Sequence, residues 1–420
     1  MTTSSHRRAV ITGLGPLTPV GIGKDSFWNG LLSGQSAISQ VTAFDPTPYH
    51  AQCAAELTDF HPEDHLPPHR LKRLDRFSQF ALIAAHLALA DSKLTLTPDS
   101  PNERYGVSFG TALGGLTDAE SQHTSFLEKG PKAINKALAL RVFGGASHSH
   151  IAIEFGLQGP GTTNANSCAS GNIALGDAFR LIRENRADLV IAGAADAPIS
   201  PLSFAAFDNI NTMSRARLDP PALACRPFDQ RRDGFVMGEG AAALVVEEFS
   251  HAQNRGAHVY AEILGFSLNN DAHHMTTPLP GGQPLVRAIT DALHQAGLAP
   301  QEIDHINSHG SATQMNDHNE GTAIQEIFGS TETNPNLTVT ATKAATGHSL
   351  GAAGAIEAVA TCLAIDQNVA PPTLHLEQPD EDIHLNLVPH KPQKQTIRRA
   401  LNNSFGFGGI NSCVILAAPD

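Results

Sequence analysis

The chain has 420 residues, with 28 Lys and Arg against 41 Asp and Glu, a net charge of −13 and 41% hydrophobic residues. This length predicts two or three domains with sizeable cores, and the composition excludes a disordered or collagen-like chain. The negative charge argues against nucleic acid as the main partner. The 5 cysteines form no C-x-x-C pair, which disfavours a disulfide framework or a zinc ribbon and favours a reducing cytoplasm.

The N-terminal segment has a basic beginning, but Gly and Pro interrupt the apolar run at 9–21, so we do not expect a signal peptide. No stretch of the sequence is long and apolar enough to predict a membrane span.

Short β-branched runs that end in Gly, Ser or Asn recur, and several precede Ala-rich helical stretches. The strand-like runs are 9–15, 188–196, 261–269, 304–310 and 337–343, and the helical stretches include 172–185 and 352–365. This alternation predicts an α/β fold with largely buried sheets.

The polar stretch 251–258 predicts the boundary between an N-terminal half, residues 1–254, and a C-terminal half, residues 255–420. A Gly/Ser-rich loop leads into an Ala-rich helix at 166–182 and again at 346–365, which hints at an internal duplication.

Motifs for common cofactors are missing from the sequence. GLGPLT at 13–18 has Thr18 where a dinucleotide fingerprint needs its third glycine, so we interpret it as a strand-to-loop turn. The sequence contains no phosphate-loop motif, no G-x-S-x-G, no HExxH and no clustered Cys and His. We therefore expect neither a cofactor nor a metal ion.

Cys168 lies in NANSCASGN, directly before an amphipathic helical stretch. An isolated cysteine is most often an inert buried residue, but polar and small residues flank this one on both sides. The N-terminus of a helix stabilises a thiolate. This position therefore predicts a lowered thiol pKa and a nucleophile.

Two histidines lie at the ends of predicted elements. His309 ends the strand-like run in DHINSHGSAT, and His348 opens a helix in KAATGHSLGAAG. Glycine beside each of them lets the backbone turn, so the two side chains are predicted to share a pocket. The segment SFGFGGIN at 404–411 places three glycines around Phe407 and can turn backbone N–H groups toward a ligand.

One cysteine, two histidines and a glycine-rich loop in this order resemble the elongating β-ketoacyl-acyl-carrier-protein synthases, which are thiolase-like condensing enzymes. The segments RRAVITGLGPLTPVG near the start and FDQRRDGFVMGEGAAALVVEE at 228–248 extend the resemblance over essentially the whole chain. The resemblance implies an α/β, thiolase-like duplicated fold with five α-β-α-β-α layers, normally assembled as a dimer.

By this resemblance, Cys168 attacks the thioester of an acyl group carried on the phosphopantetheine of an acyl-carrier protein. Malonyl-carrier protein then loses carbon dioxide, and His309 and His348 stabilise the enolate that attacks the acyl-cysteine. Lys343 and Glu320 match the active-site Lys and Glu of the family and are expected to orient the histidines.

The resemblance also assigns residues around the thioester. The backbone N–H groups of Cys168 and Phe407 are expected to form the oxyanion hole. Phe407 resembles the gating aromatic residue of the family, with Phe207 as its partner across the acyl pocket. Ser311 and Thr313 are expected to bind substrate through their hydroxyl groups.

A basic cluster between Leu66 and Arg76 predicts the surface that binds the carrier protein. It contains four cationic side chains against a single Asp in an otherwise acidic chain. Such a patch steers an acidic partner, and it matches the docking site of the family. The residues assigned to docking are Arg70, Lys72, Arg73, Arg76, Arg215 and Arg217.

Departures from the family pattern leave the acyl substrate open. Ser167 replaces the usual Ala before the nucleophile, the segment 144–150 lacks the usual Asn-Met pair, and Ile410 replaces a Thr or His. Fatty-acid synthesis and a type II polyketide or polyene pathway both remain, as do a homodimer and a heterodimer with a chain-length factor.

Two alternative functions are compatible with a chain of this family-like pattern but are disfavoured by particular residues. A non-catalytic chain-length subunit is disfavoured because Cys168, His309 and His348 are all present. A thiolase-like acyltransferase that uses coenzyme A without decarboxylation is disfavoured because Cys413, in NSCVIL, does not match the thiolase pattern.

Overall fold

The computed structural model of the protein describes residues 7–419. The strands up to Glu248 are β1 (Ala9–Thr18), β2 (Gly21–Ile22), β3 (Ser39–Gln40), β4 (Cys53–Ala55), β5 (Tyr105–Gly110), β6 (Gly161–Asn164), β7 (Leu189–Asp196), β8 (Met237–Gly238) and β9 (Gly240–Glu248). The helices up to Asn254 are α1 (Lys24–Leu32), α2 (Pro68–Leu71), α3 (Arg76–Ser92), α4 (Leu116–Lys129), α5 (Leu138–Arg141), α6 (Ala146–Phe155), α7 (Ser170–Arg183), α8 (Pro201–Asn209) and α9 (Phe249–Asn254).

The remaining strands are β10 (Ala261–Asn270), β11 (His305–Asn307), β12 (Thr338–Thr340), β13 (Val369–Ala370), β14 (Gln393–Lys394), β15 (Arg399–Gly406) and β16 (Ile410–Ala417). The remaining helices are α10 (Gln283–Ala296), α11 (Gln314–Phe328), α12 (Lys343–Thr346) and α13 (Ala353–Gln367).

The main sheet contains the same arrangement of strands twice. The spatial order is β1-β9-β7-β5-β6 in one group and β10-β16-β15-β11-β12 in the other. In both groups the first two neighbouring pairs are antiparallel and the next two are parallel. Strands β1 and β10 pair antiparallel and join the groups, with Ala9 opposite Ile263. The predicted duplication is confirmed by this shared order and direction.

The two groups are stacked with helices between and outside them. Helices α7 and α13 lie between the groups, α3 covers the outer face of the first, and α10 and α11 cover the outer face of the second. The α-β-α-β-α layers expected from the resemblance are therefore present. The boundary between residues 254 and 255 stays a prediction.

Helix α13 is the central helix of the molecule, and its residues from Ala353 to Ile365 are all buried. A helix that is apolar on every side is stable only inside a core or a membrane. The segment Leu350–Gln367 passes a membrane-span test by length and composition, yet 89% of it is buried inside the protein. It is the core helix of the layered fold.

The duplicated topology brings the functional segments to one place. The segment with Cys168 follows β6, the outermost strand of the first group. The segment with His309 follows β11, which is next to the outermost strand of the second group. Carboxyl ends of parallel strands are where α/β sheets bind ligands. The β15–β16 hairpin adds the loop that carries Phe407.

Candidate active site

The structure brings together residues that are far apart in the chain. Cys168, His309 and His348 line a single cleft with a volume of about 680 Å³, together with Ser311, Thr313 and Phe407. Lys343 and Glu320 lie behind this cleft, where they contact His309.

Cys168 sits in a tight turn between β6 and α7. Residues Ser167–Ala169 form a short 3-10 helix that continues into α7. The Ser404 hydroxyl donates to the Cys168 carbonyl oxygen at 2.8 Å. A Cβ at Gly406 would lie 3.1 Å from the Cys168 nitrogen, so glycine allows the 404–409 loop to pack directly against the nucleophile turn.

The ionisation of the thiol differs from the sequence prediction. Burial raises the pKa of the Cys168 thiol, and the Ser167 hydroxyl, the Lys343 charge and the Phe407 backbone N–H each lower it by less. The predicted net lowering of the thiol pKa is therefore wrong, because desolvation of the thiolate outweighs the favourable contacts. The Phe407 backbone N–H is among the groups that lower the pKa of the thiol, and its place in the oxyanion hole stays a prediction.

The backbone around His309 is fixed by a buried carboxylate. Glu320 accepts from the His309 N–H at 2.8 Å, from the Gly310 N–H at 2.9 Å and from the Asn403 side chain at 3.1 Å. Burial raises the pKa of Glu320 more than these three hydrogen bonds lower it, so that the net pKa is about 7. Glu320 thus positions the histidine without lining the cleft.

Lys343 determines which nitrogen of the His309 ring carries the hydrogen. Its ammonium group donates to the His309 carbonyl oxygen at 2.5 Å and lies 3.4 Å from Nδ1 of the ring. Because a lysine ammonium only donates, Nδ1 is the acceptor and Nε2 carries the hydrogen. A buried ion pair with Glu357 holds Lys343 in this place.

Both histidines are held in the neutral form. Burial and then the Lys343 charge lower the pKa of His309 and of His348 well below their usual range. Their rings lie 5.3 Å apart between centroids at 79°. Neutral imidazoles facing one cleft can donate N–H hydrogen bonds to an oxyanion without first losing a proton.

The two aromatic residues assigned to the gate are in contact. Phe207 stacks on Phe407 with 6.2 Å between ring centroids and an interplanar angle of 20°. Phe407 faces the cleft, while Phe207 lies behind it and packs edge-on against Phe235 at 5.9 Å. Phe207 is therefore in contact with Phe407 but does not line the cleft, and the gating role of the pair stays a prediction.

The hydroxyl groups assigned to substrate binding form a pair at the edge of the cleft. Ser311 Oγ lies 2.9 Å from Thr313 Oγ1 and 3.4 Å from a carboxylate oxygen of Asp317. Both residues line the cleft, and their binding of substrate stays a prediction.

The six cationic residues assigned to carrier docking fall into two groups: side chains that form ion pairs within the protein and side chains that face solvent. Arg70 pairs with Glu154, and Arg76 forms a two-point ion pair with Glu239 at 2.6 and 2.9 Å, so both have structural partners. The side chains that face solvent are Lys72, Arg73, Arg215 and Arg217, although Arg215 also bonds to the Asp208 carbonyl oxygen at 3.0 Å and Arg217 to the Tyr49 carbonyl oxygen at 3.3 Å.

Sequence reasoning missed several residues of the site. Glu357 is the counter-ion of Lys343, Asn403 supports Glu320, and the loop residues Thr276 and Thr277 line the cleft. Glu357 had a readable signal, because a single acid inside the apolar run AAGAIEAVATCLAI needs a buried partner.

One candidate cation cluster within residues 7–419 lies outside the cleft and joins His318, Asp380 and Asp382. Arg232 donates to Asp380 at 2.6 Å and already neutralises its charge. The cluster therefore offers a weak site for a metal ion.

Comparison with protein families agrees with this geometry. The family model "Beta-ketoacyl synthase, N-terminal domain" matches residues 6–252, and "Beta-ketoacyl synthase, C-terminal domain" matches residues 260–377. The curated relatives include two enzymes named 3-oxoacyl-[acyl-carrier-protein] synthase 2. The one from Staphylococcus aureus (strain N315) is 38% identical, and the one from Synechocystis sp. is 40% identical. Each match covers 98% of both chains.

Solved structures give the same result. The AntDE ketosynthase of a type II polyketide synthase, solved with its acyl-carrier protein AntF, matches with a TM-score of 0.90 and 34% identity, covering 99% of this chain and 100% of that chain. A β-ketoacyl synthase from Burkholderia phymatum matches with a TM-score of 0.90 and 32% identity over the same shares. The fold is that of the thiolase-like ketosynthases, and this chain belongs to the β-ketoacyl synthase family.

Proposed function

We propose that the protein is a β-ketoacyl-acyl-carrier-protein synthase that condenses an acyl group bound to Cys168 with malonyl-carrier protein, with loss of carbon dioxide. The observation that carries this proposal is the convergence of one buried thiol and two neutral imidazoles on a single cleft. A non-catalytic chain-length subunit would have no use for this set of residues.

The first half-reaction transfers the acyl group. The Cys168 sulfur attacks the thioester carbon, and the carbonyl oxygen becomes negatively charged beside the Phe407 N–H. The bond to the pantetheine sulfur then breaks, and the thiol proton of Cys168 ends on the released pantetheine thiol. A covalent acyl-enzyme divides one difficult condensation into two easier steps.

The second half-reaction uses the histidines. Loss of carbon dioxide from the malonyl group leaves an enolate, whose oxygen accepts hydrogen bonds from the Nε2–H groups of His309 and His348. The enolate carbon then attacks the acyl-cysteine and releases the Cys168 thiolate, which takes up a proton from solvent to restore the thiol. Lys343 keeps the His309 hydrogen on Nε2 through its contact with Nδ1, so the donor is ready before charge develops.

The proposed protein partner is an acyl-carrier protein, which presents the acyl and malonyl groups as thioesters of its phosphopantetheine arm. Lys72, Arg73, Arg215 and Arg217 are the solvent-facing cations that would attract its acidic surface. The related AntDE ketosynthase was solved in complex with its carrier protein. No further cofactor takes part in this chemistry.

We expect a dimer in the cytoplasm. Strand β6 is the edge of the main sheet, and edge strands invite pairing. Large apolar side chains are exposed nearby on the segment from α4 to α6, namely Phe126, Leu127, Leu140, Phe143 and Ile153. This face could bind a second copy of the chain or a chain-length factor, and the related structure named the ishigamide ketosynthase/chain length factor contains a ketosynthase and a chain-length factor. The proposal covers fatty-acid synthesis and type II polyketide or polyene synthesis.

The test separates the two half-reactions. Cys168→Ala should abolish condensation because no acyl-enzyme forms, while carbon dioxide release from malonyl-carrier protein continues. Acyl-enzyme mass and carbon dioxide release are the two measurements. Cys413→Ala, which removes another buried thiol outside the cleft, is the matched control and should retain both activities. Condensation by the Cys168→Ala variant would show that the nucleophile is misassigned.

A further inference from the structure

Ser167, the residue before the nucleophile, has an unusual conformation. Its φ is +52°, in the left-handed region that residues other than glycine rarely occupy. Its Oγ lies 3.7 Å from the Cys168 sulfur, which is hydrogen-bonding distance for sulfur. Within residues 7–419 this hydroxyl has no second hydrogen-bond partner.

The turn around Ser167 is held by neighbouring polar groups. The Ser170 hydroxyl lies 2.8 Å from the Ser167 carbonyl oxygen and 3.1 Å from the Thr111 carbonyl oxygen, and it accepts from the Asn166 N–H at 2.9 Å. On the other side, a Cβ at Gly406 would meet the Ser167 Cβ at 3.4 Å. These contacts keep the Ser167 side chain directed at the sulfur despite the strained backbone.

The charge state of the sulfur decides the direction of this hydrogen bond. In the neutral thiol either group can donate, but a thiolate can only accept. The hydroxyl hydrogen must therefore point at the sulfur once the thiol proton is gone. A hydrogen bond to a charged group is stronger than one between neutral groups, and more so at a buried position.

We propose that Ser167 is a further catalytic residue of this enzyme, whose Oγ–H donates to the Cys168 sulfur as negative charge develops on it during acyl transfer. This inference rests on the proposed function, in which Cys168 exchanges its proton for an acyl group. The hydroxyl forms no covalent bond and loses no proton. The thiol proton still ends on the released pantetheine thiol, and the serine hydrogen bond lowers the energy of the intervening thiolate.

The same contact explains how a buried thiol is activated in this protein. The cleft lacks a carboxylate or imidazole within hydrogen-bond distance of the sulfur among the described residues. The Ser167 hydroxyl is instead the side-chain group at hydrogen-bonding distance from the sulfur, and the Phe407 backbone N–H also lowers the pKa of the thiol. The decarboxylation step does not charge this sulfur, so it should not depend on Ser167.

The experiment compares Ser167→Ala with Ser167→Gly. Both variants remove the hydroxyl, but alanine keeps the strained φ whereas glycine adopts it freely. The rate of Cys168 alkylation by iodoacetamide is measured as a function of pH from intact protein mass. We expect both variants to react about tenfold more slowly near pH 7, with the profile displaced to higher pH. Carbon dioxide release from malonyl-carrier protein should be unchanged.

Ser412→Ala is the matched control, because Ser412 is a buried serine whose hydroxyl has no hydrogen-bond partner among residues 7–419. It should alkylate like the wild type. An unchanged pH profile in Ser167→Ala would overturn the proposal, and so would a displacement seen in one Ser167 variant alone, which would indicate a backbone effect. Failure of the wild type to release carbon dioxide would instead contradict the proposed function, and the alkylation result would stand apart from it.

Discussion

The two sides of the active-site cleft differ in the groups that surround their functional side chains. On the thiol side, Cys168 follows β6 and is contacted by the neutral donors Ser167 and Phe407. On the histidine side, His309 is surrounded by buried charged groups, with Lys343 at its ring and backbone and Glu320 at its N–H. The sulfur of Cys168 is negatively charged only during the reaction, whereas the histidine N–H donors must keep one protonation state throughout.

This difference follows from the chemistry of each side. The thiol of Cys168, which is ionised only during the reaction, has the neutral Ser167 hydroxyl at hydrogen-bonding distance, and the Lys343 charge acts on it without a hydrogen bond. Imidazoles that donate to an enolate must stay neutral, and burial, followed by the Lys343 charge, keeps both rings neutral. The contact of Lys343 with Nδ1 also sets the tautomer of His309. Glu357 balances that charge within the core.

The largest expected effect comes from removing one donor on the histidine side. His309→Ala should slow carbon dioxide release from malonyl-carrier protein by roughly 10²–10³-fold, the usual effect of losing one preorganised donor. Acylation of Cys168 should persist, since the thiol side remains intact. The measurements are carbon dioxide release and acyl-enzyme mass. His318→Ala, which changes a half-exposed histidine outside the cleft, is the control. Loss of acylation together with decarboxylation would break the division between the two sides.

The second prediction tests the raised pKa of Glu320, whose carboxylate accepts from the His309 N–H. Burial raises the folded-state pKa of Glu320 from 4.5 to about 7, so the folded protein binds a proton that the unfolded chain releases between these values. Its contribution to stability is present below pH 4.5 and is lost as the pH rises through about 7. Glu320→Gln cannot ionise, so its stability relative to wild type should improve by about 3 kcal/mol between pH 4.5 and 8.

Thermal unfolding of both proteins across this pH range provides the measurement. Glu326→Gln is the matched control, because Glu326 is an exposed acid on the same helix, α11. A pH-independent difference between Glu320→Gln and wild type would mean that Glu320 keeps an ordinary pKa in the folded protein.

The smallest expected effect concerns the exposed side chains of Lys72 and Arg73. Lys72→Glu with Arg73→Glu should lower kcat/KM for carrier-bound substrates several-fold at low salt, because exposed charges act mainly on the association rate. Arg70 is left unchanged, since Arg70→Glu would place a second carboxylate against Glu154. The effect should vanish at high salt and with a substrate carried on free pantetheine.

Lys391→Glu with Lys394→Glu makes the same change of charge at exposed positions on the C-terminal side. An equal loss of kcat/KM in both double variants would assign the effect to net charge and would move carrier docking away from Lys72 and Arg73.

Strand and helix periodicity in the sequence predicted an α/β fold, because such patterns are contiguous in the chain. The resemblance of its motifs to those of the β-ketoacyl synthases implied the layered arrangement and singled out Cys168, His309 and His348. The same holds for Lys343 and Glu320, which lie in motifs that resemble those of the family. The structure places both against His309.

Only the tertiary structure decided the balance of opposing energies at each group. The position of Cys168 before a helix predicted a lowered thiol pKa, but burial raises it, and part of that burial comes from the β15–β16 hairpin, which is far away in the sequence. Likewise, the motif at 66–76 reads as uniformly basic, yet Arg70 and Arg76 are paired with Glu154 and Glu239, acids more than 80 residues away. Desolvation and ion pairing are set by what the fold brings within a few ångströms, and no local pattern contains that information.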